Sequence, residues 1–210
     1  ELKLLYNPTL KGTYSFVPGV MGMILMLVCA MMTSVSIARE KEFGTMEVLL
    51  VSPMKPVQII LSKVVPYFFL TVINLTTMLL LSVYVLDVPV TGSLPLLVSI
   101  SLIFILVSLA LGLLISSIVD KQMIALLISG VVLMLPVTML SGMMFPIENM
   151  PWILQMVANV IPATWYIIAV KKIMIQGLSF SSVINEFLIL SIMAIVMIII
   201  SVQRFKYRLE

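Results

Sequence analysis

A short charged run, REKEFGTMEVLLVSPMKP, occupies residues 39–56 of an otherwise apolar chain. The chain has 12 basic and 9 acidic residues, and five of these charged side chains lie between Arg39 and Glu47. The apolar residues of the run recur at helical spacings of three and four: Phe43, Met46, Leu49 and Leu50. This pattern predicts an amphipathic helix over about residues 39–52, which Pro53 and Pro56 bring to an end.

Charges of both signs on such a helix allow it to dock either on lipid or on a protein. Basic amphipathic helices commonly lie on anionic lipid. Glu40, Glu42 and Glu47 are acidic, however, and anionic lipid repels them. A lipid anchor remains the alternative, but a protein partner accounts better for the three carboxylates.

Residues for metal-based or nucleophilic chemistry are scarce. The sequence has no His and a single Cys, Cys29, so it offers no His/Cys metal site and no Ser-His pair. It also lacks a G-x-x-x-x-G-K-[ST] phosphate-binding loop, and we expect no ATP or Mg²⁺ to bind this chain. The carboxylates outside the charged run fall in predicted loops or at span ends, where we expect Glu148 and Glu186 to meet water or to cap short helices. The sequence therefore predicts no enzymatic activity.

The elements that carry these residues are predicted to be membrane-spanning helices. The 210 residues are 62% hydrophobic and 10% charged, with a mean hydropathy of +1.26, whereas soluble domains carry roughly a quarter charged residues. A helix of about 20 apolar residues crosses a bilayer. The sequence predicts an all-α membrane protein with five such spans, at residues 16–38, 57–86, 94–119, 123–145 and 187–203.

The distribution of Lys and Arg predicts the orientation, because cytoplasmic loops carry the excess of positive charge. With the amino end outside, eight basic residues fall on the cytoplasmic side and four outside; the eight are Arg39, Lys41, Lys55, Lys63, Lys121, Arg204, Lys206 and Arg208. We therefore expect the carboxyl end in the cytoplasm and residues 1–15 to end an extracytoplasmic region. An earlier span, in a parent with six spans, would deliver that region outside.

A second segment, residues 146–177, is too apolar for a free loop but is broken by Pro146, Pro151 and Pro162. It predicts two short helices, at about 151–160 and 163–176, that dip into the outer leaflet and return as a re-entrant hairpin. Interfacial aromatic residues such as Trp152 suit this depth. The alternative is a helix pair that lies on the surface.

Polar residues within the spans are candidates for a substrate path, notably Thr71, Asn74 and Thr138. A side-chain amide inside the membrane faces protein or a cavity, so Asn74 either lines a cavity or bonds to a neighbouring helix.

Other residues of the spans have structural interpretations. Gly112 and Ser116, at small-x-x-x-small spacing, predict close helix packing. Lys63 is expected to extend toward the headgroups.

The charged run resembles a known family, the permease subunits of ABC type-2 exporters. The resemblance rests on R-E-K-E-x-G-T-M-E-x-L-L-V-S-P-M-K-P at Arg39–Pro56, followed by SKVVPY at Ser62–Tyr67. A second patch, LSGMMFPIENMPWILQMVANVIPATWYIIAVKKIMIQG at Leu140–Gly177, looks like the outer hairpin of that family and the helix after it.

The resemblance implies the last five spans of a six-span exporter permease in a bacterial cytoplasmic membrane. The amphipathic segment would be its cytoplasmic coupling helix, seated on a separate ABC ATPase that binds ATP and Mg²⁺. The implied ATPase-coupling residues are Arg39, Glu40, Glu42, Gly44, Thr45 and Glu47. The implied outer hairpin carries Pro146, Glu148, Pro151, Trp152 and Pro162.

The implied partners, besides the ATPase and membrane lipid, are a second permease copy or a paralogue, and no nucleic acid. The alternative function is a secondary transporter or channel without an ATPase, which usually needs ionisable groups within the membrane. Apart from Lys63 near a span boundary, the sequence places none there.

Overall fold

The apolar stretches form helices in a computed structural model, which describes residues 13–45 and 56–207. In chain order the helices are α1 (Thr13–Glu42), α2 (Pro56–Tyr84), α3 (Leu94–Ile118), α4 (Gln122–Leu127), α5 (Leu133–Leu140), α6 (Trp152–Val160), α7 (Pro162–Met174) and α8 (Phe180–Tyr207). A π-helical turn, Ile128–Val132, joins α4 to α5, and a single 3₁₀ turn, Ile147–Asn149, precedes α6. The described residues contain no strand, so the predicted all-α class is confirmed.

Five helical segments are long and apolar enough to cross a membrane, which confirms the predicted number of spans: Phe16–Glu42, Gln58–Tyr84, Leu94–Ile118, Gln122–Leu140 and Phe180–Arg204. Several boundaries differ from the prediction; the fourth span, for example, ends at Leu140 rather than at residue 145. The first helix continues four residues beyond Ala38, and the last begins at Phe180 rather than Phe187. Both extensions contain charged residues, which lower the hydropathy of a predicted span. In the structure, Glu40 and Glu186 in these extensions form ion pairs with residues of neighbouring helices.

The bundle is built around α1, which packs against α2, α3, α4 and α7. α3 lies between α1 and α8 and is the span with the largest buried share. Gly112 allows α1 and α3 to approach closely, because a Cβ atom there would lie 2.8 Å from the Ala30 carbonyl oxygen. The close packing predicted at Gly112 is therefore confirmed.

The centre of the core is an aromatic pair contributed by α3 and α7. The rings of Phe104 and Tyr166 stack at 4.2 Å with an interplanar angle of 6°. Tyr166 is fully buried, and its hydroxyl group lies 2.9 Å from that of Ser101. A buried tyrosine hydroxyl needs such a partner, and Ser101 of α3 provides it.

The fourth span is irregular, because the π turn separates α4 from α5. Pro136, within α5, has no N–H to donate to the carbonyl group of Val132, the last residue of that turn. Ser129 satisfies another carbonyl by donating to Ala125 O at 2.6 Å. The sequence analysis does not predict this π turn.

The bundle has two ends, which we name by their content. The charged face is the end where α1 and α3 finish and where α2 and α4 begin. The hairpin face is the opposite end, where α6 and α7 lie. These two helices meet at an angle of 87° with one residue between them.

Candidate functional site

The charged face begins with the end of α1. Gly44 has a φ of +70°, a left-handed conformation that glycine adopts without strain, and its N–H donates to Lys41 O at 3.1 Å. Thr45 then closes the turn, because its hydroxyl donates to Glu40 O at 3.1 Å. Residues 46–52 of the predicted coupling helix, including Glu47, lie outside the described residues.

Glu40 faces the first turns of α2. Its carboxylate forms an ion pair with the ammonium group of Lys63, and the two side chains are 17% and 29% exposed. Lys63 was expected to extend toward lipid headgroups, and that expectation is wrong because an acidic partner is available within the bundle. The second oxygen of Glu40, Oε2, is buried without a hydrogen bond among the described residues.

Lys41 faces the end of α3. Its ammonium group donates to the carbonyl oxygens of Ser116 and Val119, the latter at 3.2 Å, and lies 3.8 Å from the Asp120 carboxylate. The last carbonyl groups of a helix lack intrahelical donors and carry partial negative charge. Lys41 therefore caps the C-terminus of α3 from a neighbouring helix.

Glu42 faces the start of α4. Its Oε2 accepts hydrogen bonds from the backbone N–H of Gln122 at 2.9 Å and from the Gln122 side-chain amide at 3.1 Å. Gln122 is the first residue of α4, where N–H groups have no intrahelical acceptor. Glu42 therefore caps the N-terminus of the helix that follows α3.

Arg39 and Phe43 point away from these contacts. Both are exposed, with Phe43 at 67%, and the guanidinium carbon of Arg39 lies 5.9 Å from the centre of the Phe43 ring. At this distance the cation attracts the ring. Of the predicted coupling residues in this turn, Glu40 and Glu42 contact neighbouring helices. Arg39 is exposed and lies beside Phe43, which was not a predicted coupling residue.

A buried ion pair lies at the hairpin face. The ammonium group of Lys172 on α7 is 2.7 Å from Glu186 Oε1 on α8 and 3.2 Å from Ser182 O. Glu186 is only 5% exposed, and its Oε2 has no partner among the described residues. The expectation that Glu186 meets water or caps a short helix is wrong, because α8 starts earlier than predicted and places Glu186 inside the span.

The end of α7 is held by two further contacts. Thr91, in the loop between α2 and α3, donates to Met174 O from its backbone N–H at 3.0 Å and from its hydroxyl at 2.7 Å. Lys171 donates to Gly142 O at 2.9 Å, in the turn after α5. The hairpin is thereby tied to the loops on both sides of it.

The predicted hairpin residues occupy different environments. Pro146, Glu148, Pro151 and Trp152 are exposed, whereas Pro162 is buried at the first position of α7. Pro162 starts that helix without losing a hydrogen bond, because the first N–H groups of a helix have no internal acceptor.

The three predicted substrate-path residues are not joined by any hydrogen bond within the described part of the chain. Thr71 is 2% exposed, donates to Tyr67 O at 2.7 Å and accepts from Cys29 Sγ at 3.4 Å, so it belongs to the packing of α1 against α2. Thr138 donates back to Met134 O within α5. Asn74 is half-buried and makes no side-chain hydrogen bond to a described residue.

Two apolar clefts open near the hairpin face. One, of about 240 Å³, lies between α1 and α2 and is lined by residues such as Val17, Ile24 and Met78. The other, of about 290 Å³, lies between the end of α5 and the start of α6, and its lining includes Phe145 and Asn149. Their walls suit the apolar part of a ligand or of a lipid.

Sequence reasoning missed the two helix caps and the buried ion pair. The alternating charges of residues 40–42 could have indicated the caps. The backbone groups that these side chains cap, however, lie 75 to 80 residues away along the chain. The signal for the ion pair was Lys172 followed at a distance by Glu186, two charges flanking a short loop in an apolar region.

Comparison with known proteins adds a family context. Residues 1–202 match the family model described as ABC-2 family transporter protein. The chain is 36% identical over 172 residues to Probable multidrug ABC transporter permease YbhS of Escherichia coli (strain K12), covering 82% of this chain and 46% of that protein. It is 28% identical over 209 residues to Inner membrane transport permease YhhJ of the same strain, covering 98% and 55%.

A eukaryotic relative is ABC transporter G family member 20 of Dictyostelium discoideum, 29% identical over 201 residues, or 93% of this chain and 27% of that protein. The chain spans about half the length of the bacterial relatives that it matches. No solved structure matches it.

Proposed function

Because this chain belongs to the ABC-2 family of transporter proteins, we propose that it is the membrane part of an exporter permease driven by a separate ATPase. The permease would move a substrate outward across the cytoplasmic membrane of a bacterium. Energy would come from ATP hydrolysis in the partner, since this sequence has no phosphate-binding loop of its own.

The observation that carries the proposal is the exposed turn at the end of α1. It presents Arg39 and Phe43 on the charged face, while Gly44 and Thr45 fix the direction in which the chain leaves the helix. The following segment, which contains Glu47, continues the motif that the family resemblance assigns to a coupling helix. We propose that the ATPase docks at this turn and segment.

The proposed orientation places the charged face in the cytoplasm. Of the basic residues that the structure describes, Arg39, Lys41, Lys63 and Lys121 belong to this face, whereas Lys171 and Lys172 lie at the hairpin face. An excess of Lys and Arg marks the cytoplasmic side of a membrane protein. The hairpin would then lie in the outer leaflet, where the substrate leaves.

We further propose that two permease copies, or this chain and a paralogue, assemble with two ATPases. Two of the bacterial relatives carry the words multidrug ABC transporter permease in their names, and the apolar clefts support an apolar or amphipathic substrate here. In such a pair, ATP would move the molecule between two arrangements with different substrate affinity, as any coupled change requires.

The test is copurification of the full-length permease with the ATPase encoded beside it. Glu47→Arg should remove the ATPase from the complex while the permease stays folded in the membrane. Glu148→Arg, the same change at an exposed position on the hairpin face, is the matched control and should keep the ATPase. Copurification that Glu47→Arg leaves unchanged would point instead to a lipid anchor.

One observation favours the alternative function. Glu186 is a buried carboxylate inside a span, and ion-coupled secondary transporters use such groups. Its pairing with Lys172 gives it a structural explanation. Transport in vesicles separates the two functions: an ATP-driven exporter needs ATP and survives collapse of the proton gradient, whereas a secondary transporter shows the reverse.

A further inference from the structure

We infer that Glu40, Lys41 and Glu42 are positioning residues that clamp the end of α1 to three neighbouring helices, and that they are not contacts to the ATPase. This inference rests on the proposed function for its role in transport. It also changes the assignment of Glu40 and Glu42 within the motif, because it separates the residues that bind the partner from those that transmit its movement.

The clamp follows from three consecutive positions on one helix. Successive side chains of an α-helix point about 100° apart, so residues 40, 41 and 42 face three directions. Glu40 reaches α2 through Lys63, Lys41 reaches the end of α3, and Glu42 reaches the start of α4. One turn of α1 is thereby connected to every other helix that begins or ends next to it on the charged face.

Each arm matches the charge of its target. Lys41 meets carbonyl groups at the negative end of α3, and Glu42 meets an N–H group at the positive end of α4. Only residues 119–121 separate these two helices, so Lys41 and Glu42 grip a tight connection from its two sides. A sideways movement of the end of α1 must carry this connection with it or break both caps.

The exposed residues of this turn include Arg39 and Phe43, which we propose as contacts to the partner. Neither side chain is used in the clamp, both are exposed, and the guanidinium group lies against the ring. Since Gly44 ends the helical turn directly after them, a force applied by the partner at this turn acts on the clamp within a few residues. The clamp distributes that force to α2, α3 and α4.

A charge exchange tests the clamp in the full-length permease with its ATPase. Glu40→Lys should lower the substrate transported per ATP hydrolysed by about fivefold or more, the usual size of coupling between sites, while the ATPase still copurifies. Glu40→Lys combined with Lys63→Glu should restore that ratio, because the ion pair is rebuilt in the opposite sense. Arg39→Glu is the matched control and should weaken ATPase binding.

Two outcomes overturn the inference. One is that Glu40→Lys removes the ATPase as completely as Arg39→Glu does and Lys63→Glu fails to restore it, which would make Glu40 a docking residue. The other is that Glu40→Lys leaves the transport ratio unchanged. If Glu40→Lys does not fold, the double variant Glu40→Gln and Lys63→Gln replaces it. This double variant should also lower the substrate transported per ATP hydrolysed and should still copurify with the ATPase.

A measurement on the permease alone separates failure of the clamp from failure of the proposed function. In a double-mutant cycle of Glu40→Gln and Lys63→Gln, the shifts in thermal midpoint should be non-additive, since the two residues contact each other. Additive shifts would refute the clamp. Wild-type permease that binds no ATPase would refute the proposed function, whatever the cycle shows.

Discussion

The ion pair between Lys172 and Glu186 is the most deeply buried charge contact that the described residues contain. Removal of one partner leaves the other charge without compensation in an apolar setting, which is far more costly than losing both. Lys172 is 31% exposed, so water partly relieves the penalty on its side. Glu186 is almost fully buried, so an unpaired Glu186 carboxylate would account for most of the loss in stability.

We predict that Lys172→Met lowers the free energy of unfolding by about 3 kcal/mol, the low end of the range for a broken buried pair. Lys172→Met together with Glu186→Gln should recover most of this loss, because no charge then remains buried. Thermal unfolding of the purified permease in detergent measures both variants. A double variant as unstable as Lys172→Met would contradict the explanation.

Tyr166 offers a second prediction at this scale, because its ring and its hydroxyl group have separable roles. Tyr166→Phe should cost little, since the Ser101 hydroxyl also donates to Leu97 O at 2.7 Å and stays satisfied. Tyr166→Ala should cost about 3–5 kcal/mol by leaving a cavity beside Phe104. Equal losses in unfolding midpoint for both variants would mean that the hydroxyl contact, rather than the ring, holds α7 in place.

Side chains that hydropathy treats as isolated charges were the hardest to interpret from sequence. Lys63 and Glu186 were placed in headgroups and water because their partners, Glu40 and Lys172, come from other helices. A contact of this kind depends on the relative rotation of two helices. Sequence periodicity shows which side of each helix is apolar. It does not show which neighbouring helix that side meets.

At the scale of elements, α1 and α3 cross closely at Gly112. We predict that Gly112→Val prevents this approach and costs about 1–3 kcal/mol through overpacking, because backbone atoms of Ala30 lie within 3.1 Å of the new Cβ. The assay is the thermal midpoint of the purified permease.

Gly130→Ala is a suitable control for this prediction, since its Cβ would meet only the side chain of Met31 at 3.9 Å. It should keep the wild-type midpoint apart from the general effect of removing a glycine. If Gly112→Val and Gly130→Ala gave the same midpoint, the α1–α3 crossing would be looser than the geometry indicates.

The helices themselves were largely predictable. Twenty or more apolar residues in a row determine a span whatever the neighbours do, and prolines at 146, 151 and 162 marked the breaks around α6 and α7. The π turn at Ile128–Val132 was not predictable, because no distinctive residue type marks it in the sequence.

At the scale of the whole molecule, the proposed orientation gives a labelling prediction. Cys29, the one thiol of this sequence, is buried and should not react with a membrane-impermeant maleimide. In intact cells Glu148→Cys should react, because it is exposed on the hairpin face, whereas Lys121→Cys should react only after the membrane is permeabilised. The reverse pattern would invert the topology and place the charged face outside.

The predicted substrate-path residues of the spans have separate structural environments in the described parts of the chain. Thr71 is occupied by packing contacts, and Thr138 bonds within its own helix. Asn74 in α2 makes no side-chain hydrogen bond to a described residue.

The clamp at residues 40–42 also limits how this stretch can change in length. A substitution weakens one arm, but insertion of a single residue before Glu40 would rotate all three side chains by about 100°. The acid would then face the acceptor carbonyls of α3, and the base would face the donor end of α4. Insertion of one codon before Glu40 should therefore be far more damaging to transport than a substitution at any one of the three positions.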